Sequence, residues 1–199
     1  APFIQLRKEL DFDCGYRSGM RGKWQWNLTL SSGTGDYFVF SADRKSIRTG
    51  VGYFPQDNLK FNFHLHQTKT DNWFIWTDVN QYASYESKNT RISTDMKWYP
   101  SERQEFQIKL QAVAFRNQQG QGWIADEAGY LNSTGATVES INLGKIAFQI
   151  RYKYEIAPLS NLYLVYTRGG GYYFDDEAGT SKIYRKTWDN PENNKLVLK

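Results

Sequence analysis

Along most of this chain apolar and polar residues alternate with period two, the pattern of a β-strand with one apolar and one polar face. In the first run Ile4, Leu6, Leu10, Phe12 and Cys14 share one side, with Lys8 the exception, and Gln5, Arg7, Glu9, Asp11 and Asp13 share the other. Trp24, Trp26, Leu28 and Leu30 then alternate with Lys23, Gln25, Asn27 and Thr29. Residues 36–42 are aromatic on both sides, which leaves their register open. Further runs follow at Ile47–Tyr53, Leu59–His66, Arg91–Trp98 and Phe106–Ala114. The longest runs from Lys145 to Ile156, and shorter ones lie at Leu162–Tyr166 and Leu196–Leu198. The pattern predicts roughly ten strands, of about 9–11 residues where well defined, the length that crosses a bilayer at a tilt.

The connections sharpen this. Tyr53-Phe54-Pro55-Gln56-Asp57-Asn58, Trp98-Tyr99-Pro100-Ser101-Glu102-Arg103 and Ile156-Ala157-Pro158-Leu159-Ser160-Asn161 read as short turns with Pro near the start. The segments Thr68–Ser87, Asn117–Ile141 and Gly169–Asn193, rich in Gly, Asn, Asp, Ser and Thr, read as long connections between them. Short periplasmic turns opposite longer outer loops are the asymmetry of a transmembrane barrel. An even strand count then places both termini on the short-turn side. Tyr53-Phe54 and Trp98-Tyr99, at strand ends beside short turns, suit a membrane–water interface.

Composition changes the picture in one respect. Aromatic residues make up 17% of the chain, yet its mean hydropathy is −0.69. No stretch approaches the run of about 18 apolar residues of a transmembrane helix. That excludes a helical membrane protein and leaves a barrel, whose alternating strands escape hydropathy windows. The net charge is +4, from 25 basic and 21 acidic residues. It is spread along the chain without a basic block, so nucleic acid is not an expected partner. Cys14 is the single cysteine, which excludes an internal disulfide. The chain opens Ala-Pro-Phe with no leader pattern, as expected of a processed protein or a fragment.

The run Ile146-Ala-Phe-Gln-Ile-Arg-Tyr-Lys-Tyr-Glu-Ile-Ala-Pro-Leu-Ser-Asn-Leu-Tyr-Leu-Val-Tyr-Thr-Arg-Gly170 resembles the closing hairpin of a family of bacterial outer-membrane proteins. In that family a periplasmic domain similar to family 9 carbohydrate-binding modules precedes a C-terminal barrel. The earlier hairpin WYPSERQEFQIKLQAVAF is similar in style, and the resemblance covers about the last half of the chain. It implies a barrel of unknown function. Such barrels end on a terminal aromatic residue, whereas this chain ends Leu196-Val-Leu-Lys199, so missing C-terminal residues are expected, and either these strands close on themselves or other strands complete the wall.

Candidate chemistry is sparse. His64 and His66 lie two apart on a polar strand face and form a weak metal-chelating pair; as lumen residues they need no metal. Asp175-Asp176-Glu177 lacks the ligand spacing of a calcium loop. Trp73, Trp76, Trp123 and Trp188 fall in the long connections, as candidate ligand-binding rings. Lys109, Lys145, Arg151, Lys153 and Glu155 would line the lumen, favouring anions in a wide pore or pairing with Asp11, Asp13 and Asp95 in a narrow one. No nucleophile elbow, P-loop, zinc-protease or dinucleotide motif is present, and no catalytic residue or cofactor is expected.

The sequence therefore predicts a single all-β domain over residues 1–199, an antiparallel up-and-down transmembrane β-barrel or part of a larger one in the bacterial outer membrane. Its expected partners are the lipid bilayer and lipopolysaccharide, the remaining strands of the same barrel, or other outer-membrane or periplasmic proteins. Two alternatives stand beside it: a soluble β-sandwich binding carbohydrate through loop tryptophans, and an outer-membrane-embedded hydrolase.

Overall fold

The computed structural model describes residues 4, 8–37, 40–118, 120–174 and 178–199. Gln5, Leu6 and Arg7 of the expected first strand, and Asp175-Asp176-Glu177, lie outside the described residues. The chain forms β1 (Lys8–Arg17), β2 (Trp24–Asp36), β3 (Ser41–Gln56), β4 (Leu59–Asp78), β5 (Gln81–Ser101) and β6 (Gln104–Asn117). It continues through β7 (Gly120–Ala125), β8 (Leu131–Val138), β9 (Asn142–Ala157), β10 (Ser160–Phe174), α1 (Thr180–Asp189) and β11 (Asn193–Leu198). All eleven strands belong to one sheet, in the order β1-β2-β3-β4-β5-β6-β9-β10-β11, with β7 attached to β5 and β8 to β7. Every pairing is antiparallel. The sandwich alternative therefore does not describe this fold, because a sandwich needs a second sheet packed face to face.

The alternation read from the sequence becomes two faces because the registers keep like with like. One cross-strand row runs Trp24, Tyr53, Phe61, Met96, Ile108, Ile150, Tyr166, Leu196, apolar throughout. A slip of one residue in any strand would put its apolar set on the wrong face. The sheet curls toward the polar face, where residues as far apart in strand order as Glu9 on β1 and Phe115 on β6 line one cavity. Among the described residues the curl is not closed: β1 pairs only with β2 and β11 only with β10.

The short turns stand where expected. In two of them the register shifts across the proline, between Tyr53 and Gln56 and between Trp98 and Ser101. Pro55 and Pro100 thus sit at bulges, where a missing N–H costs no ladder bond. Pro158 differs, standing in the turn itself before Leu159, whose φ is 66°.

The long connections require correction. Thr68–Ser87 is not a loop: β4 and β5 continue through it as a hairpin that turns at Val79-Asn80. Trp73 and Trp76 are therefore strand residues. Asn117–Ile141 carries the β7–β8 hairpin, and Gly169–Asn193 carries the end of β10 and α1. Among the described residues the path across the sheet holds nine strands rather than an even number. Lys8 consequently starts at the end opposite the proline turns, and Leu198 finishes beside them.

Helix α1 lies on the apolar, convex face over β6, β9 and β10. Ile183 and Thr187, one turn apart, are its buried residues, and Ile183 packs with Ala114, Phe174 and Ala178. Ala114 and Gly144 keep the sheet low enough for this approach. A Cβ on Gly144 would strike Thr187 Oγ1 and Ile183. The Tyr184 hydroxyl donates to the Thr90 carbonyl at 2.8 Å and ties the helix to β5. Burial pushes this phenol up to about 12.

Candidate functional site on the concave face

The concave face is polar because every second residue of these strands is polar, and it is where ligand chemistry can collect. At the end away from the proline turns it forms a cavity of about 510 Å³. Glu9, Asp11, Arg44, Thr68, Thr70, Ser87 and Asn89 supply polar groups, and Trp73, Phe74, Phe115 and Tyr37 supply rings.

Two local devices shape it. Arg44 donates to Asp11 at 2.7 Å, from β3 to β1 across β2. Gly33 on β2 makes room for this, since a Cβ there would collide with the Asp11 carboxylate. The bulge between Thr70 and Trp73, with Asn72 at φ 57°, re-aims β4 so that Trp73 opposes Tyr85. Trp73 then meets Phe115 edge to face at 5.1 Å. Beside the cavity, Tyr37 and Phe40 pack on Phe74 and Trp123, and Phe74 stacks on Tyr82 at 5.0 Å. This aromatic cluster joins the β2–β3 connection to the β4–β5–β7 hairpins. Burial, and next to it the Glu9 charge, holds the Tyr37 phenol above its ordinary value.

The four tryptophans singled out in the sequence are not brought together. Trp73 lines the cavity. Trp76 is 60% exposed and donates to the Val79 carbonyl. Trp123 is buried, its indole N–H bonded to Ser84 Oγ at 2.9 Å, which makes it part of the cluster. Trp188 lies on α1 against Phe148 and under the Arg168 guanidinium, 4.9 Å from the ring centroid.

Lys109, Lys145, Arg151, Lys153 and Glu155 all fall on the concave face by register. Arg151 is paired with Glu105 at 2.7 Å. Of the acids expected to plug a narrow lumen, Asp11 is taken by Arg44, and Asp95 accepts from the Asn62 amide at 3.2 Å. His64 and His66 share this face, but His66 stands directly between Arg48 and Arg91 on the flanking strands. Two guanidinium groups repel a cation there, which argues against the metal pair. Among the described residues no group of three or more His, Cys, Asp or Glu is placed to hold a metal ion.

Sequence reasoning missed Glu9, Arg44, Asn89 and Phe115 as cavity residues, together with the Arg48–His66–Arg91 juxtaposition. Each comes from a different strand, and only register brings them together, so no spacing along the chain marks them. Comparison with protein-family models, with curated proteins and with solved structures finds no match.

Proposed function

We propose that this chain is wall material of a β-barrel in the outer membrane of a Gram-negative bacterium, with a structural, transport or partner-scaffold role and no catalysis of its own. One observation carries this: the convex face is a continuous apolar surface that the chain itself leaves uncovered away from α1. Phe12 is 65% exposed, Leu30 48% and Leu196 68%. A contiguous apolar face running across the whole strand order needs a lipid or protein cover.

The margins of this face support a bilayer as the cover. Toward the proline turns it ends in Trp24, stacked on Tyr53 at 4.2 Å, and in Trp98. Rings of this kind suit the headgroup boundary. At the other end Lys45, Lys88 and Arg116 stand in one cross-strand row with Lys69, which is itself paired with Asp71 and Glu86, and the first three suit lipid phosphates or lipopolysaccharide. The free edges of β1 and β11 cannot stay unpaired in hydrocarbon. Further strands, from the same barrel or from another outer-membrane protein, would complete the wall, in keeping with the resemblance to barrel hairpins.

The test is fractionation of the native full-length protein, with electrophoretic mobility compared before and after boiling. Outer-membrane fractionation and a band that shifts on boiling are expected. A detergent-free soluble monomer with unchanged mobility would refute the proposal. A second reading, carbohydrate binding, is favoured by Trp73 in a cavity edged with Thr68, Thr70, Ser87 and Asn89. It expects saccharide-dependent quenching of tryptophan fluorescence that disappears in Trp73→Ala.

A further inference from the structure

We infer that Arg48, His66 and Arg91 form a binding site for a phosphate-like oxyanion on the concave face. The three residues are direct cross-strand partners on β3, β4 and β5. Neighbours so placed have Cβ atoms about 4.5–5.5 Å apart, and like charges directly opposite destabilise a sheet. Two guanidinium groups flanking an imidazole are therefore a cost to the fold unless something anionic sits over them.

No carboxylate of the described residues fills that role. Neither Arg48 nor Arg91 has a carboxylate partner among the described residues. The row runs outward to Thr29 and Gly15 on one side and to Val113 and Lys145 on the other, so its next charge is again positive. The rows on either side offer Ser46, Thr68 and Asn89, and Gly50, His64 and Ser93. The nearest acids in the register are Asp13 on β1 and Asp95 further down β5, and Asp95 accepts from Asn62.

The donors suit an oxyanion with several oxygens. Each guanidinium presents a planar fork of N–H groups, the geometry that matches phosphate, and the imidazole between them adds one more. Thr68 Oγ1 lies 3.2 Å from His66 Nε2 and orients the ring. Arg48 and Arg91 are exposed, so the site is open to the concave side. In a closed barrel the row would be an arc of a basic ring, the arrangement that passes or holds anions. The site stands on the register alone and does not require the membrane reading.

The test is calorimetric titration of inorganic phosphate into the folded full chain, in detergent or buffer, at fixed ionic strength with sodium chloride as reference. The imidazole NMR resonances of His66 and His64 are followed in parallel. Saturable phosphate binding is expected, with His66 moving more than His64. Arg48→Gln and Arg91→Gln should each weaken binding about tenfold or more, the usual worth of a charge-assisted hydrogen bond. Lys153→Gln, on the same face outside the row, should leave it unchanged. Equal responses to chloride and phosphate, His66 resonances that do not move, or wild-type affinity in both arginine variants would overturn the site. The NMR measurement on the unaltered chain decides the matter even if a variant fails to fold. Loss of the anion site with a boiling-sensitive band retained would leave the barrel-wall proposal intact.

Discussion

Ile150→Arg tests most directly the proposal that the convex face meets lipid. Ile150 stands in the middle of the apolar side of β9, between Ile108 on β6 and Tyr166 on β10. On that strand the apolar side runs from Ile146 to Ile156. Ten steps of about 3.3 Å give roughly 33 Å of strand, or about 25 Å of height at the ~40° tilt usual for membrane barrels, matching their apolar band. In the proposed barrel Ile150 is near the midplane, where an arginine costs about 2–4 kcal/mol. The neighbouring concave-side residue is already arginine, Arg151, so strand propensity is not what the substitution probes. The assay is reversible denaturant unfolding in phosphatidylcholine vesicles, with Gln111→Arg on the concave face as reference, expected within about 0.5 kcal/mol of wild type. A loss below about 1 kcal/mol for Ile150→Arg in vesicles would refute lipid contact at this face. A loss of full size in detergent-free buffer would show instead that protein covers it.

Ile183→Ala should cost α1 about 2–5 kcal/mol of docking, because the side chain is fully buried against Ala114 and Phe174, and hydrogen exchange at the Thr187 amide reads it. The Tyr184 phenol has its pKa raised from 10.0 to about 12 by burial, so the neutral form is the one the docked helix favours. The docking it supports should be complete below pH 10, lost as pH rises through about 12, and insensitive to pH over that window in Tyr184→Phe, as followed by the same exchange measurement. Leu159 is fully exposed with φ 66°, behind Pro158, where a turn favours glycine; Leu159→Gly should raise the unfolding midpoint, by roughly 1 kcal/mol of strain released. Glu105→Gln should destabilise by about 1–3 kcal/mol, because it leaves the partly buried Arg151 without its carboxylate, and a double-mutant cycle with Arg151→Gln should recover most of that loss.

Alternation along single strands was legible by itself. Leu28 against Thr29, or Ile150 against Arg151, assigns a face with no knowledge of the partner strand, because side chains leave a strand on opposite sides in turn. The proline turns were legible for a similarly local reason, since a residue without an N–H must stand where no ladder bond is due. The segment Thr68–Ser87 was not legible: its Thr, Asn, Asp and Ser content looks like a loop, yet β4 and β5 satisfy each other's backbone through it. Its Trp73 and Phe74 then meet Phe115 and Phe40, far away in sequence. Helix α1 was missed because its ten mostly polar residues, with Thr, Ser and Asp among them, read as part of a long connection, and its stability comes from Ala114 and Gly144 leaving space beneath it.

The sequence by itself thus determined the strand class and which side of each strand is apolar, because both follow from local covalent geometry. Tertiary structure alone decided what stands beside what: that Arg44 reaches Asp11 over Gly33, that Arg48, His66 and Arg91 line up, and that the curl stays open between β1 and β11. These depend on register and curvature, which are properties of strand pairs, and the energies that set them arise only once the strands meet.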